Sequence, residues 1–296
     1  MRVVSLLPSA TEILFAVGAG ADVVGVTFEC DEPPSARRTA QIVSTSALPE
    51  GLSPAQIDAA VSAKLAAGED IYHLDRAALV GLDASLVVTQ DLCAVCAVDV
   101  SEVSAALDYL GCTAEVLTTD PHTLQDVWAS VEEIGRATGH LSSAQSLARS
   151  LRARVQAVRD EVAGRPGVAC LVLEWTDPPF APGHWVPEMV EAAGGRSVLG
   201  AAGHKSVRVQ WQAVTQSAPE VVVVAPCGYT LPRSRELGVE LVAAGRLPAD
   251  VPVWAVDANA SFARPGPRLA DGVEALARIL HPAVGDPNPA MAARIR

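Results

Sequence analysis

Aromatic residues are scarce in this chain, with 4 Phe, 5 Trp and 3 Tyr among 296 residues, so where they fall is informative. Basic residues are also short: 22 Lys and Arg stand against 34 Asp and Glu, a formal charge of -12. That balance excludes a nucleic-acid partner, whose phosphates require a basic surface. No apolar run approaches the length of a membrane span, so the chain is not expected to cross a bilayer. Low-complexity runs are missing, which excludes a disordered or fibrous protein. There is no GxSxG, no Walker loop and no HExxH, so no catalytic set is assigned and an enzyme is not expected. The apolar start VVSLLP is cut short by Pro8 and Ser9 before a signal-peptide core can form. As read, this predicts a cytoplasmic protein, in which six cysteines serve as thiols or ligands rather than disulfides.

Half of the residues are apolar, enough for two domains with substantial cores. At the middle of the chain, residues 121–164 read as a helix, a break at Thr138-Gly139-His140, and a longer helix over 142–162. Ala144, Leu147, Ala148, Leu151, Val155, Val158 and Val162 form one stripe at helical spacing, with Arg149, Arg152, Arg154, Arg159, Asp160 and Glu161 opposite. On both sides strand-like and helix-like segments alternate, the pattern of parallel sheets covered by helices. The predicted strands lie near 2–7, 23–26, 41–44, 85–89, 114–117, 168–173, 220–225 and 251–256. Ser9 with Glu12 reads as a capping box, and Ser53 as the cap of a helix over 53–67. The expected architecture is α/β, two Rossmann-like lobes with parallel sheets joined by a long interdomain helix. Its divisions are an N-terminal lobe over 1–120, a helical connector over 121–164, a C-terminal lobe over 165–284 and a flexible tail over 285–296.

The opening RVVSLLPSATEILFAVGAGADVVGV resembles that of class III periplasmic substrate-binding proteins, the cobalamin- and siderophore-binding components of ABC importers. The likeness runs from Val3 to about Leu280. DPPF at 177–180, EAAGG at 191–195, the Trp211 region and FARPGPRL at 262–269 are similar to the cobalamin-binding branch. It looks like a leaderless sub-branch of that family, whose other members are periplasmic or lipid-anchored. The resemblance implies a helical-backbone binding protein, monomeric, that holds a corrinoid or related metal chelate in an interlobe cleft and partners an ABC permease. In the family one acidic residue per lobe docks to the permease; Asp99, Glu102, Glu188 and Glu191 are acidic here, and a solvated face is the simpler reading of all four.

Ligands of parallel α/β sheets sit beyond the carboxyl ends of the strands. By that rule Cys30, Cys93, Cys96 and Cys227 fall where a site belongs, whereas Cys112 precedes a strand and Cys170 lies inside one. Four such thiols could hold zinc or iron, supply a thiolate to a corrinoid cobalt, or form a redox pair. Loops that carry small residues for no chemical reason are the plainer alternative. His184, after the 177–180 loop, is a candidate imidazole ligand, although a surface histidine without a ligand is commoner. Trp175, Phe180, Trp185, Trp211 and Phe262 make up most of the Trp and Phe and lie in or near C-terminal loops. Aromatic faces there suit a flat macrocycle; core packing is the competing account, most of all for Trp211. Phe28 and Gln90 complete the candidate contacts, and Arg264 is the candidate partner of ligand carboxamides or carboxylates. Two rivals stand beside the binding protein: a zinc or iron protein built on the four cysteines, and a thiol-dependent corrinoid-processing or redox protein.

Overall fold

The computed structural model describes residues 1–90 and 114–296. They divide into two compact units. The first holds Met1–Pro121 and Gln125–Ser150, and the second holds His122–Leu124 and Leu151–Arg296.

In the first unit, β1 (Val3–Ser5), β2 (Val23–Val26), β3 (Gln41–Ile42), β6 (Leu86–Gln90) and β7 (Glu115–Thr119) form one parallel sheet in the order β3-β2-β1-β6-β7. The central position of β1 explains why all three of its residues are buried, because a strand in the middle of a covered sheet is buried on both faces. The helices α1 (Pro8–Ala16), α2 (Ala36–Thr39), α3 (Pro54–Ala66) and α4 (Arg76–Gly81) and the antiparallel pair β4 (Ser44–Ser46) and β5 (Tyr72–Leu74) complete it. Ser53 caps α3 as expected, exchanging hydrogen bonds with Gln56, and Asp75 caps α4. The expected box at Ser9 and Glu12 does not form. Helix α1 starts two residues earlier, with Pro8 in its first turn and Leu7 at the cap position, so Ser9 is inside the helix and buried.

The helical connector is shared by both units. Helix α5 (Leu124–Ala137) and helix α6 (Leu141–Val162) are separated at Gly139, whose φ of 75° ends α5 in the left-handed region. Gly135 lets the two helices meet: a Cβ there would lie 2.2 Å from the Ala144 methyl. The 22 residues of α6 span about 33 Å at roughly 1.5 Å per residue. Its predicted stripe is inward-facing, with Ala144, Ala148, Leu151, Val155, Val158 and Val162 buried and Leu147 half-buried. Each of the larger side chains contributes roughly 2 kcal/mol by leaving water. From Leu151 onward α6 belongs to the second unit, where Arg154 pairs with Asp271 and Glu274 on the last long helix.

The second unit is built on β11 (Gly195–Ser197), β8 (Val168–Leu173), β13 (Val221–Val224), β14 (Val253–Val256) and β15 (Ala292–Arg294), in that order. The first four are parallel, and β15 returns antiparallel to β14. Residues 285–296, expected to fray, thus supply an edge strand; Ile295 also packs on the core of this unit. A separate three-stranded antiparallel sheet, β12 (Val207–Arg208), β10 (Pro179–Ala181) and β9 (Trp175–Thr176), stands after β8. Around them lie α7 (Val186–Ala192), α8 (Trp211–Gln216), α9 (Leu231–Ala243), α10 (Ala258–Ser261) and α11 (Leu269–Leu280). A groove of about 330 Å³ lined by Arg154, Ala157, Val158, Glu161, Glu274 and Arg278 runs along α6 and α11; none of the candidate site residues lines it.

Candidate ligand-binding site

In the second unit the loops after β8, β13 and β14 leave the same edge of the sheet, because those strands are parallel. Backbone hydrogen bonds latch them together. The Cys227 N–H donates to Glu174 O at 3.0 Å, and the Asn259 N–H donates to Tyr229 O at 3.0 Å. Glu174 braces the first loop further: the Gly183 N–H donates to its Oε1 at 3.1 Å, and the Ser206 hydroxyl donates to its Oε2. Gly183 must be glycine here, since a Cβ would lie 2.2 Å from the Ser206 nitrogen.

The small antiparallel sheet turns this frame into a surface. Trp175 pairs with Phe180, and Phe180 pairs with Arg208, so the three side chains share one face of the sheet. The Arg208 guanidinium lies over the Phe180 ring at 5.8 Å, within cation–π range. On the other flank, Tyr229 from the β13 loop stacks on Trp175, with ring centres 5.7 Å apart and planes at 25°. The result is a continuous row, Arg208, Phe180, Trp175, Tyr229. Its three rings are half-buried and Arg208 is exposed. Partial burial raises the Tyr229 phenol above its ordinary value by disfavouring the charged form.

Other candidates have structural occupations. Trp185 is 3 % exposed, and its Nε1 donates to Phe262 O at 2.8 Å; Phe262 is itself 2 % exposed. Together they pin the β14 loop to the start of α7. Trp211 packs against the hydrophobic core of the unit, with Arg246 over its ring at 5.7 Å. Arg264 is buried in the same loop region as Phe262. His184 takes a left-handed backbone, φ 50°, and its ring lies 5.8 Å from that of His122.

In the first unit, Phe28 sits against Tyr72, ring centres 6.1 Å apart, and packs on the core cluster; Gln90 is buried at the end of β6. Cys30 is fully buried. The Thr11 hydroxyl lies 3.0 Å from its sulfur and 2.8 Å from the Ser5 hydroxyl, and the Thr27 hydroxyl lies 3.1 Å from the sulfur. This thiol is part of a buried hydroxyl cluster that closes the β1 and β2 loops. Cys227 is exposed, Cys170 is buried within β8, and Cys93, Cys96, Cys112, Asp99 and Glu102 lie outside the described residues. Among the described residues no group of three or more His, Cys, Asp or Glu is placed to hold a metal. The four-cysteine zinc or iron reading therefore lacks structural support: a thiol as buried as Cys30 is engaged inside its own unit.

Tyr229, Arg208 and Glu174 were not anticipated. Tyr229 follows the EVVVVA strand by the same rule that singled out Cys227, so its position was available. Arg208 was not, because a two-residue strand has no periodicity to read.

No family model matches the chain. The vitamin B12-binding protein of Yersinia pestis is 23% identical over 229 residues, 76% of this chain and 69% of that protein. Among solved structures, the periplasmic vitamin B12-binding protein of Vibrio cholerae superposes with a TM-score of 0.69 at 22% identity, over 96% of this chain and 98% of its own. A periplasmic heme-binding protein from Pseudomonas aeruginosa does so with a TM-score of 0.72 at 17% identity, over 99% and 97%. The fold is that of the class III, helical-backbone substrate-binding proteins: two α/β lobes joined by long helices. The expectation of a cytoplasmic protein is overturned by these matches, since the solved structures that share the fold end to end are periplasmic.

Proposed function

We propose that this chain is the binding component of an ABC importer and carries a flat, mostly apolar metal chelate, a corrinoid in the first instance. The observation that supports this reading is the Arg208, Phe180, Trp175, Tyr229 row, half-buried at the carboxyl edge of a parallel sheet. Aromatic faces in series offer a macrocycle dispersion contact and area burial with little loss of side-chain freedom, each such contact contributing about 0.5–1.5 kcal/mol beyond its area. The curated relatives are vitamin B12-binding proteins, which favours the corrinoid among flat chelates. Cys227, two residues before Tyr229, is the exposed thiol of this loop system. Trp185, Phe262 and Arg264 support the loops from beneath. No bond-making step is assigned to the protein; it binds and releases.

A heme is the second reading, favoured by Arg208. A guanidinium at the end of the aromatic row matches an ionised carboxylate, which a heme carries and a fully amidated corrinoid lacks. Titration of the purified protein with hydroxocobalamin, cobinamide and hemin, followed by visible absorption, tests both. One-to-one saturation that is weakened at least tenfold in Trp175→Ala or Tyr229→Ala supports the reading. Affinity unchanged in both variants, or no saturation with any of the three, overturns it.

A further inference from the structure

We propose that His122 and His184 form a binding site for a late divalent transition-metal ion, of the zinc, nickel or copper class. The pair lies wholly within the second unit: His122 belongs to the short segment His122–Leu124 that joins that unit ahead of α5. Their ring centres are 5.8 Å apart with planes at 42°. That separation matches the ring spacing of shared ligation. With zinc–imidazole bonds of about 2.0–2.1 Å, the metal sits roughly 3 Å from each ring centre, and a tetrahedral angle then sets two ligating rings about 5–6 Å apart. Imidazole nitrogen suits zinc, nickel and copper and does not suit magnesium or calcium.

The backbone that carries each histidine is anchored. The His184 N–H donates to His204 O at 2.6 Å, and the Gly203 N–H donates to His184 O at 2.9 Å, which locks the backbone of the ligand on both sides. The left-handed conformation of His184 is one that histidine tolerates better than most residues, and it is enforced by the close approach of Gly183 to residues 204–206. On the opposite strand of chain, the Leu124 N–H donates to Glu188 Oε2 at 2.7 Å, which seats the segment bearing His122 against α7. No third His, Cys, Asp or Glu among the described residues completes the set, and neither histidine belongs to the aromatic row.

Zinc titration of reduced, metal-stripped protein carrying isotope-labelled histidine tests this by the ring nitrogen resonances. His122→Asn and His184→Asn identify the two signals; asparagine also tolerates the left-handed backbone required at 184. The expected result is that the His122 and His184 signals move together with added zinc and that either substitution weakens this binding at least tenfold. Zinc that shifts only the exposed His204, or that is taken up with all histidine signals unmoved, overturns the proposal. The measurement on the unsubstituted protein decides this even if a variant fails to fold, and failure of corrinoid or heme binding leaves it untouched.

Discussion

Arg208 lies over the ring of Phe180, 5.8 Å from its centre, because the two are cross-strand partners in β12 and β10. The sheet itself therefore fixes a cation at one end of an aromatic row. Replacing Arg208 by Met keeps the apolar stem and removes the charge. Hemin affinity is expected to fall about tenfold, roughly 1.4 kcal/mol, and to lose its salt dependence, while a neutral amidated corrinoid loses less than threefold. Equal losses for both ligands would show that the charge does not discriminate between them.

Tyr229 is stacked on Trp175 and its phenol is raised above its ordinary value by partial burial. A group raised on folding contributes stability that is complete below the unfolded pKa and is lost as pH climbs through the folded one. Stability should thus decline above about pH 10, the ordinary tyrosine value. Ultraviolet titration should show one late-ionising phenol that returns toward the ordinary range in Trp175→Ala, whose missing indole readmits water.

The described cysteines should react in a strict order. Cys227 is exposed, whereas Cys170 lies in β8, where burial pushes its thiol up to about 12 from the usual 9. Only the thiolate is nucleophilic, so burial and pKa act in the same direction. Peptide mapping after brief alkylation should find Cys227 modified and Cys170 and Cys30 intact until the protein is unfolded. Rapid native labelling of Cys30 would contradict its hydroxyl-bonded, closed environment.

Arg154 reaches both Asp271 and Glu274, and these carboxylates raise its guanidinium above its ordinary value. The partners are more than one-third exposed, so solvent screening discounts the pair heavily. Arg154→Met should cost less than about 1 kcal/mol, seen as a melting shift of a few degrees at most. A much larger loss would mean that this clamp, rather than the apolar stripe of α6, holds the helix to α11.

At Gly183 a methyl group would meet the backbone of Ser206. Gly183→Ala should destabilise the second unit by about 2 kcal/mol or more, since neither partner is a side-chain end that can rotate away. Gly228, whose Cβ direction is open but whose φ is 80°, should cost less than Gly183 when changed to Ala. Thermal unfolding of the two variants side by side checks the ranking.

What the sequence determined by itself is the set of features carried by local periodicity and capping. The stripe of α6, the break at Gly139, the Ser53 cap and the buried valine strand β13 each depend on neighbours a few residues away, and each could be read in order along the chain. Repeated βα alternation likewise committed both lobes to parallel sheets. Tertiary structure decided what depends on distant partners. Trp175, Phe180 and Arg208 become one surface only because a three-stranded sheet too short for any pattern aligns them, and Tyr229 joins them from a loop more than fifty residues downstream of Trp175. Trp185 and Phe262, as aromatic as the rest, were drawn instead into the interior, where an indole N–H finds a carbonyl acceptor. Composition marked which residues could face a ligand; the pairing of strands chose among them, because exposure is a property of what packs against a side chain and not of the side chain itself.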